Sequence, residues 1–345
     1  MVQRLPIEEF LKVAVDVPVI DVRAPAEYGH GHIPGSINIV LFDDLERAEV
    51  GTLYHKAGRE EAIKKGLEIV GPKMKVYVEQ ARNLAVDGKL LTYCWRGGMR
   101  SESMAWLFNT SGIETAVLEK GYKAFRHYIR SSFDKHMPMI VLGGKTGSGK
   151  TELLQKLVSK GFQHIDLEKL AHHKGSVFGN LGLPEQPTNE QFENELGIAL
   201  LNLDMQMPVI FEDESINIGI VSIPKPLFTQ MREAPLIYID MPLEARIERL
   251  YTEYAHFPPD VLKDMMVRIS RRLGGENTRL AIKAIDENNL RKAIRISLIY
   301  YDKAYEFGIK KRDGNHIRRI KAEDEYIGSL AEEIMDVLQE SIKAG

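Results

Sequence analysis

Gly144-Lys145-Thr146-Gly147-Ser148-Gly149-Lys150-Thr151 is a complete match to the phosphate-cradling pattern G-x-x-x-x-G-K-[ST], and its setting decides how the second half of the chain folds. An apolar run, Met139-Ile140-Val141-Leu142, precedes it, and a helical pattern follows from Gly149 to Ser159. In that strand–loop–helix setting the glycines let backbone N–H groups approach phosphate oxygens. The expected phosphate-binding residues are Gly144, Gly147, Ser148, Gly149, Lys150 and Thr151. Lys150 would reach the terminal phosphates, and the Thr151 hydroxyl would hold Mg²⁺. An acidic partner is expected at the end of the run Val209-Ile210-Phe211-Glu212-Asp213-Glu214-Ser215. Asp213 or Glu214 is the expected acid, with Glu212 turned toward solvent, and Asp166 at the end of another strand is a second candidate. The motif calls for a phosphate-bearing ligand. It leaves open whether that ligand is ATP and whether anything is hydrolysed.

Far upstream lies the one cysteine of the chain, in the loop Cys94-Trp95-Arg96-Gly97-Gly98-Met99-Arg100. The strand Leu90-Leu91-Thr92-Tyr93 runs directly into it, and Ser101 to Asn109 reads as a helix beyond it. A sulfur at the carboxyl end of a parallel strand, facing a helix N-terminus with Arg96 or Arg100 nearby, occupies a place suited to a nucleophile. Cys94, Arg100 and Arg96 are therefore the expected catalytic residues. The spacing Cys94 to Arg100 equals the C-x5-R arrangement of cysteine phosphatases, and the loop equally fits a sulfurtransferase whose cysteine carries a chalcogen as a persulfide. Tyr93 stands where such phosphatases usually have His. The run from Asp21 to Asn38, with Asp21-Val22-Arg23 and His32-Ile33-Pro34-Gly35, resembles the rhodanese signature. Asp21 and Arg23 read as a brace for the loop, and His30 and His32 as turn residues rather than metal ligands.

At 345 residues the chain is long enough for two domains, and its composition is that of an ordinary globular protein with a net charge of -3. A single cysteine forbids an internal disulfide and argues against a cysteine-built metal centre, which needs several thiolates. No apolar run is long enough to span a bilayer and the first residues lack a signal-peptide core, so the expectation is a cytoplasmic protein without membrane contact. Alternating strands and helices predict parallel sheets. Strands are expected at Pro18 to Val22, Leu90 to Tyr93 and Thr115 to Leu118, with a helical insert from about Asp43 to Val86 broken at Gly71-Pro72. Polar Phe133-Asp134-Lys135-His136 sets the expected boundary, giving domains 1–135 and 136–345. In the second domain strands are expected at Met139 to Leu142, Gln163 to Asp166, Pro208 to Phe211 and Pro235 to Ile239, with a mostly helical pattern from about Pro242 onward.

That last region is rich in cations. Arg268, Arg271, Arg272 and Arg279 are the expected RNA-binding residues, with Arg291, Lys292, Arg295, Lys310-Lys311-Arg312 and Arg318-Arg319 continuing the bias. Such a face suits RNA phosphates, and it equally suits a solvated helical surface laced with the interspersed Glu and Asp. Tyr300-Tyr301 and Tyr305 could stack on unpaired bases, although Tyr301 and Tyr305 at helical spacing suit a core as well.

The order of these parts resembles one family. A rhodanese-like domain with Cys-Trp-Arg-Gly-Gly-Met-Arg-Ser at Cys94 to Ser101, followed by the phosphate loop, is similar to the bacterial tRNA 2-selenouridine synthases over essentially the whole chain. The stretch from Glu46-Arg47 through Gly51-Thr52-Leu53-Tyr54 shares the likeness. The resemblance implies an α/β protein with an N-terminal rhodanese-like parallel-sheet domain, then a P-loop NTPase-like α/β domain with a helical C-terminal part. It implies a transferase that exchanges the sulfur of a wobble 2-thiouridine in tRNA for selenium. Geranyl diphosphate and selenophosphate would be co-substrates, with Mg²⁺ as a candidate ion and a selenophosphate-producing enzyme as donor source. Alternatives from the residues alone are a sulfurtransferase fused to an ATP-dependent kinase, a nucleotide-gated RNA-binding module, and a cysteine phosphatase.

Overall fold

The computed structural model describes residues 2–174, 183–310, 312, 314–322, 332, 334 and 335, apart from the side chains of 272, 304 and 315. The chain divides into two compact units, residues 1–132 with 190–198, and residues 133–189 with 199–345.

In the first unit a five-stranded sheet is built from β1 (Gln3–Leu5), β2 (Val19–Asp21), β3 (Ile37–Asn38), β4 (Lys89–Tyr93) and β5 (Glu114–Leu118). Its order is β1-β5-β4-β2-β3 and every pairing is parallel. The central strands read as continuous apolar runs because helices cover both faces. Helices α1 (Ile7–Val13), α2 (Pro25–His30), α6 (Met99–Thr110) and α7 (Gly121–Ser132) alternate with the strands, and α3 (Asp44–Lys56), α4 (Arg59–Val70) and α5 (Met74–Leu84) fill the long insert. Asp43 starts α3 with a capping box: its carboxylate accepts from Glu46 N at 2.8 Å and its own N–H donates to Glu46 at 2.9 Å. A short 3₁₀ turn, Gly71–Lys73, marks the break before α5. α7 buries Tyr122, Phe125 and Ile129, one stripe of a helix, in the core.

The second unit carries β6 (Met139–Gly144), β7 (Gln163–Ile165), β8 (Val209–Glu212), β11 (Leu236–Asp240) and β12 (Ile317–Lys321) in the parallel order β12-β11-β6-β8-β7, with a small antiparallel pair, β9 (Asn217–Ile218) and β10 (Val221–Ser222). Helices α8 (Lys150–Ser159), α9 (Leu167–Leu170), α10 (Asn189–Leu201) and α11 (Lys225–Glu233) connect the strands. After α12 (Leu243–Tyr254) come α13 (Pro259–Arg268), α14 (Ser270–Leu273), α15 (Gly275–Asp286) and α16 (Leu290–Ile309), which share a core of Leu262, Met266, Ala281, Ile285, Ile294 and Leu298. β12 interrupts the region expected to be helical: it pairs with β11 and exposes Arg318 and Arg319.

Residues 190–198 of α10 group with the first unit through polar contacts. Gln191 accepts from His32 N at 2.8 Å, and Asn194 Nδ2 donates to His32 O at 2.9 Å and to the Tyr122 hydroxyl at 2.8 Å. They grip the same turn that a buried ion pair braces from within. Arg23 Nη2 meets Asp21 Oδ2 at 2.6 Å and donates to Gly31 O at 2.7 Å, and its guanidinium lies 4.0 Å from the centre of the Tyr122 ring. The Tyr93 hydroxyl adds a third tie, accepting from Ile33 N at 3.1 Å. Both charged side chains of the pair are fully buried, so removing one strands the other. Asp21→Ala is expected to cost about 3–5 kcal/mol of stability, measured by urea unfolding of the first unit's transition.

Candidate functional site

Cys94 follows the last residue of β4, and α6 begins five residues later at Met99 with Gly98 as its N-cap. Two glycines let this loop lie backbone to backbone against the turn before α7. Gly97 has φ +63°, and a Cβ there would sit 2.5 Å from Leu118 O; Gly121 has φ +61°, and a Cβ there would collide with Cys94 O. The carbonyls of Cys94 and Trp95 accept from the N–H groups of Tyr122 and Lys123 at 2.9 and 3.0 Å, capping the start of α7. The sulfur is buried, with Ser101 Oγ 3.2 Å from it as a donor in the first turn of α6. That is an environment in which a sulfur anion would meet a hydroxyl and a helix N-terminus.

The two arginines differ. Arg100 is paired with Glu27 through contacts of 2.7 and 3.3 Å. Burial pushes the Glu27 carboxyl up, but the Arg100 hydrogen bonds outweigh it and hold it below the usual range. Arg96 is exposed and, among the described residues, has no ion pair or hydrogen bond. Glu27 was not foreseen as part of this site; it lies in the run between Asp21 and Asn38 whose role reads as structural.

In the second unit β6 ends at Gly144 and α8 begins at Lys150, with Gly147 at φ +83° and Gly149 at φ +78° turning the loop between them. Lys150 Nζ rests on Gly144 O at 3.2 Å. Thr151 Oγ1 is 3.4 Å from Glu212 Oε1. Glu212 is 2% exposed, so it faces this loop and not solvent as the sequence suggested. Both faces of β8 are buried, and alternation along the strand could not say which acid pointed where. Asp213, one of the expected acids, is held elsewhere: Arg312 at 2.7 Å, Arg232 at 3.3 Å and the Tyr305 hydroxyl at 2.9 Å take its oxygens. Tyr305 in turn accepts from Gly144 N at 2.8 Å, so Asp213 acts on the loop through that tyrosine. Asp166 caps α9, accepting from Lys169 N at 2.8 Å. The acid that α9 brings to the site is Glu168, which sequence reasoning missed because a four-residue helix has no readable period.

Carboxylate oxygens of Glu168, Glu212 and Glu214 lie within 4.8 Å of one another. Three oxygen donors beside a threonine hydroxyl suit a hard divalent cation. Burial pushes Glu212 up to about 7, with Lys150 opposing and Glu168 and Asp166 adding to the rise. Burial and the neighbouring Glu168 raise Glu214 as well. For Lys150 burial works downward, and the attraction of Glu212, Glu214 and Glu168 outweighs it and keeps the ammonium charged. A cavity of about 1520 Å³ opens over the loop, with the glutamates at its polar part and Phe228, Met241, Leu250 and Tyr254 among its apolar walls.

The cations of the C-terminal region separate into two groups. Arg291 grips Glu248 at 2.7 and 2.8 Å and stacks on Tyr251, Arg295 pairs with Glu244, and Arg312 is buried on Asp213. Arg268, Arg271 and Arg279 are exposed, and among the described residues none is in an ion pair. The side chain of Arg272 and all of Lys311 lie outside the described residues.

A parallel-sheet domain presenting a loop cysteine and a P-loop α/β domain presenting a phosphate cradle define a fused rhodanese-like and P-loop protein. Residues 8–128 match the family model of the rhodanese-like domain, and residues 137–335 match that of the tRNA 2-selenouridine synthase AAA domain. A tRNA 2-selenouridine synthase of Nitrosomonas europaea is 39% identical over 248 residues, covering 69% of this chain and 64% of that protein. One from Bdellovibrio bacteriovorus is 41% identical over 250 residues, covering 69% and 65%. One from Sulfurovum sp. is 36% identical over 345 residues, covering 90% of this chain and 93% of its own length. The chain thus spans just under two thirds of the first two relatives and nearly all of the third. It belongs to the tRNA 2-selenouridine synthase family. Among the described residues no helix is long and apolar enough to cross a membrane.

The buried Glu212 yields a pH test. Its folded pKa lies above its unfolded one, so its favourable contribution is full below about 4.5 and is lost as pH rises through about 7. In chelator-containing buffer Glu212→Gln should therefore gain thermal stability over the parent chain as pH rises from 5 to about 8, with the two converging at low pH. Parallel melting curves across that range check it.

Proposed function

We propose that this chain replaces the sulfur of wobble 2-thiouridine in tRNA with selenium, by geranylation of the sulfur and then displacement by selenium. The observation that carries the reading is the presence, in one chain of this family, of a cysteine loop and a P-loop whose cavity has a charged floor and apolar walls. A thiocarbonyl carbon is a poor electrophile with a poor leaving group. Alkylating the sulfur makes C2 more electrophilic and gives it a thiolate to expel.

In the first step the diphosphate of geranyl diphosphate lies on the amides near Gly147 to Gly149 and on Lys150 and Thr151, which stabilise it as it leaves carbon 1 of the chain. The geranyl group runs along Phe228, Met241, Leu250 and Tyr254. Thr151, Glu168, Glu212 and Glu214 are the residues that would hold Mg²⁺, whose charge would offset that of the departing diphosphate. Lys150, kept protonated by the three glutamates, supports the same charge. In the second step the selenide-level selenium of selenophosphate adds to C2 and the geranyl thiolate leaves, water takes the donor's phosphoryl group as orthophosphate, and Cys94 guides the selenium to the base without changing its oxidation state. Arg96, exposed and without an ion pair among the described residues, is available to the donor's phosphate, and Arg100 can join it on exchanging Glu27 for that anion. The exposed Arg268, Arg271 and Arg279 supply charge for tRNA phosphates. A selenophosphate-producing enzyme is the donor source, and the place of action is the cytoplasm, where tRNA is modified.

The division of labour is open to test by mass analysis of nucleosides from 2-thiouridine tRNA. Cys94→Ser should abolish selenation and leave geranylation largely intact. Lys150→Ala should slow geranylation by on the order of 10² or more while a pre-geranylated tRNA is still converted. Equal loss of both steps in a folded Cys94→Ser variant, or unimpaired alkylation in Lys150→Ala, would refute the assignment.

A further inference from the structure

The mouth of the cysteine loop carries a surface that the sulfur chemistry does not use. Trp95, next to Cys94, is 38% exposed, although an indole can bury more area than almost any side chain. Its ring is held in place: it lies 5.7 Å from the Tyr122 ring, which stacks on Phe125, and its carbonyl is tied to Lys123 N. Met99, 47% exposed, stands at the first position of α6 with the Arg59 guanidinium 3.9 Å from its sulfur. The turn that packs against the loop adds Lys120 and Lys123, both exposed and, among the described residues, without an ion pair. Lys120 N lies 2.8 Å from where a Cβ on Gly97 would stand and Lys123 N donates to Trp95 O at 3.0 Å, so this turn packs directly on the loop beside Trp95. Glu119 is the single acid in the stretches 94–100 and 118–123.

A fixed, half-exposed aromatic face among unpaired cations is what binds a single-stranded nucleotide: the ring stacks on a base and the cations take the flanking phosphates. We propose that Trp95 is the platform on which the wobble base stacks as it reaches Cys94, with Lys120 and Lys123 holding the phosphates beside it. The inference rests on the reading of this chain as a tRNA-modifying enzyme, and it adds to that reading a positioning residue and a contact surface.

The chain has two tryptophans, so Trp106→Phe leaves Trp95 as the sole reporter. Trp106 is 57% exposed, and its loss should be benign. This variant is titrated with a 2-thiouridine-bearing anticodon stem-loop, following both Trp95 emission and the anisotropy of labelled RNA. The expected result is saturable quenching with the same midpoint as the anisotropy change. Trp95→Ala, in the otherwise native chain, should weaken binding by roughly tenfold and raise KM more than it lowers kcat, with Trp95→Phe restoring most of the loss. Lys123→Ala should reduce the slope of log K against log salt by about 0.7. RNA binding with unchanged Trp95 emission would overturn the proposal and leave the tRNA reading standing. Absence of RNA binding would overturn both. A response of Trp95 only to the selenophosphate-producing enzyme would assign the surface to a protein donor and also overturn it.

Discussion

Two loops of this protein depend on glycines at places where a Cβ would collide with backbone or with a packed side chain. At the cysteine loop, Gly97 and Gly121 face each other's chain with left-handed φ, and the carbonyls of Cys94 and Trp95 cap α7 through that contact. At the phosphate loop, Gly143 leaves room for the Tyr305 hydroxyl and Gly144 for Ser148, while Gly147 abuts the backbone of Arg246. Each loop ends a parallel strand and opens a helix, so each gathers helix N-terminal dipoles over a buried floor. The remaining structure serves to hold these two turns.

Charge is arranged to the same end. The Asp21–Arg23 pair and the tyrosines around it fix the turn behind Cys94 from inside the fold. Around the P-loop, Arg246 takes Asp302 through two contacts and also donates to Thr146 O, while Lys145 is shared between Asp302 and Glu306. α16 thereby secures the loop's outer residues. Lys150 is held charged by the attraction of Glu212, Glu214 and Glu168, whose carboxylates cluster beside the loop.

Much of the fold was legible because buried parallel strands announce themselves as apolar runs. The strands ending at Tyr93, Leu118, Gly144 and Asp240 were expected to within two residues. Five others were not, among them the two-residue antiparallel pair β9 and β10. β1 has two exposed residues of three, β3 is two residues long, and β12 sets the adjacent Arg318 and Arg319 between two isoleucines at a sheet edge. Motif residues were legible because spacing encodes loop geometry. The acid beside Thr151 was not, because a strand buried on both faces gives no clue to which of Glu212, Asp213 and Glu214 points inward. Glu168 and the Gln191–Asn194 grip on His32 arise from contacts between distant segments, which leave no local pattern.

We propose that alkylation of the tRNA sulfur precedes selenation in this one chain. This order is tested most directly by a pulse and chase on the unaltered protein, followed by nucleoside mass analysis. With 2-thiouridine tRNA and geranyl diphosphate alone, S-geranyl-2-thiouridine should accumulate, and selenophosphate added later should convert that nucleoside into 2-selenouridine. Selenation at the same rate without geranyl diphosphate, or a geranylated nucleoside that does not chase, would contradict the account.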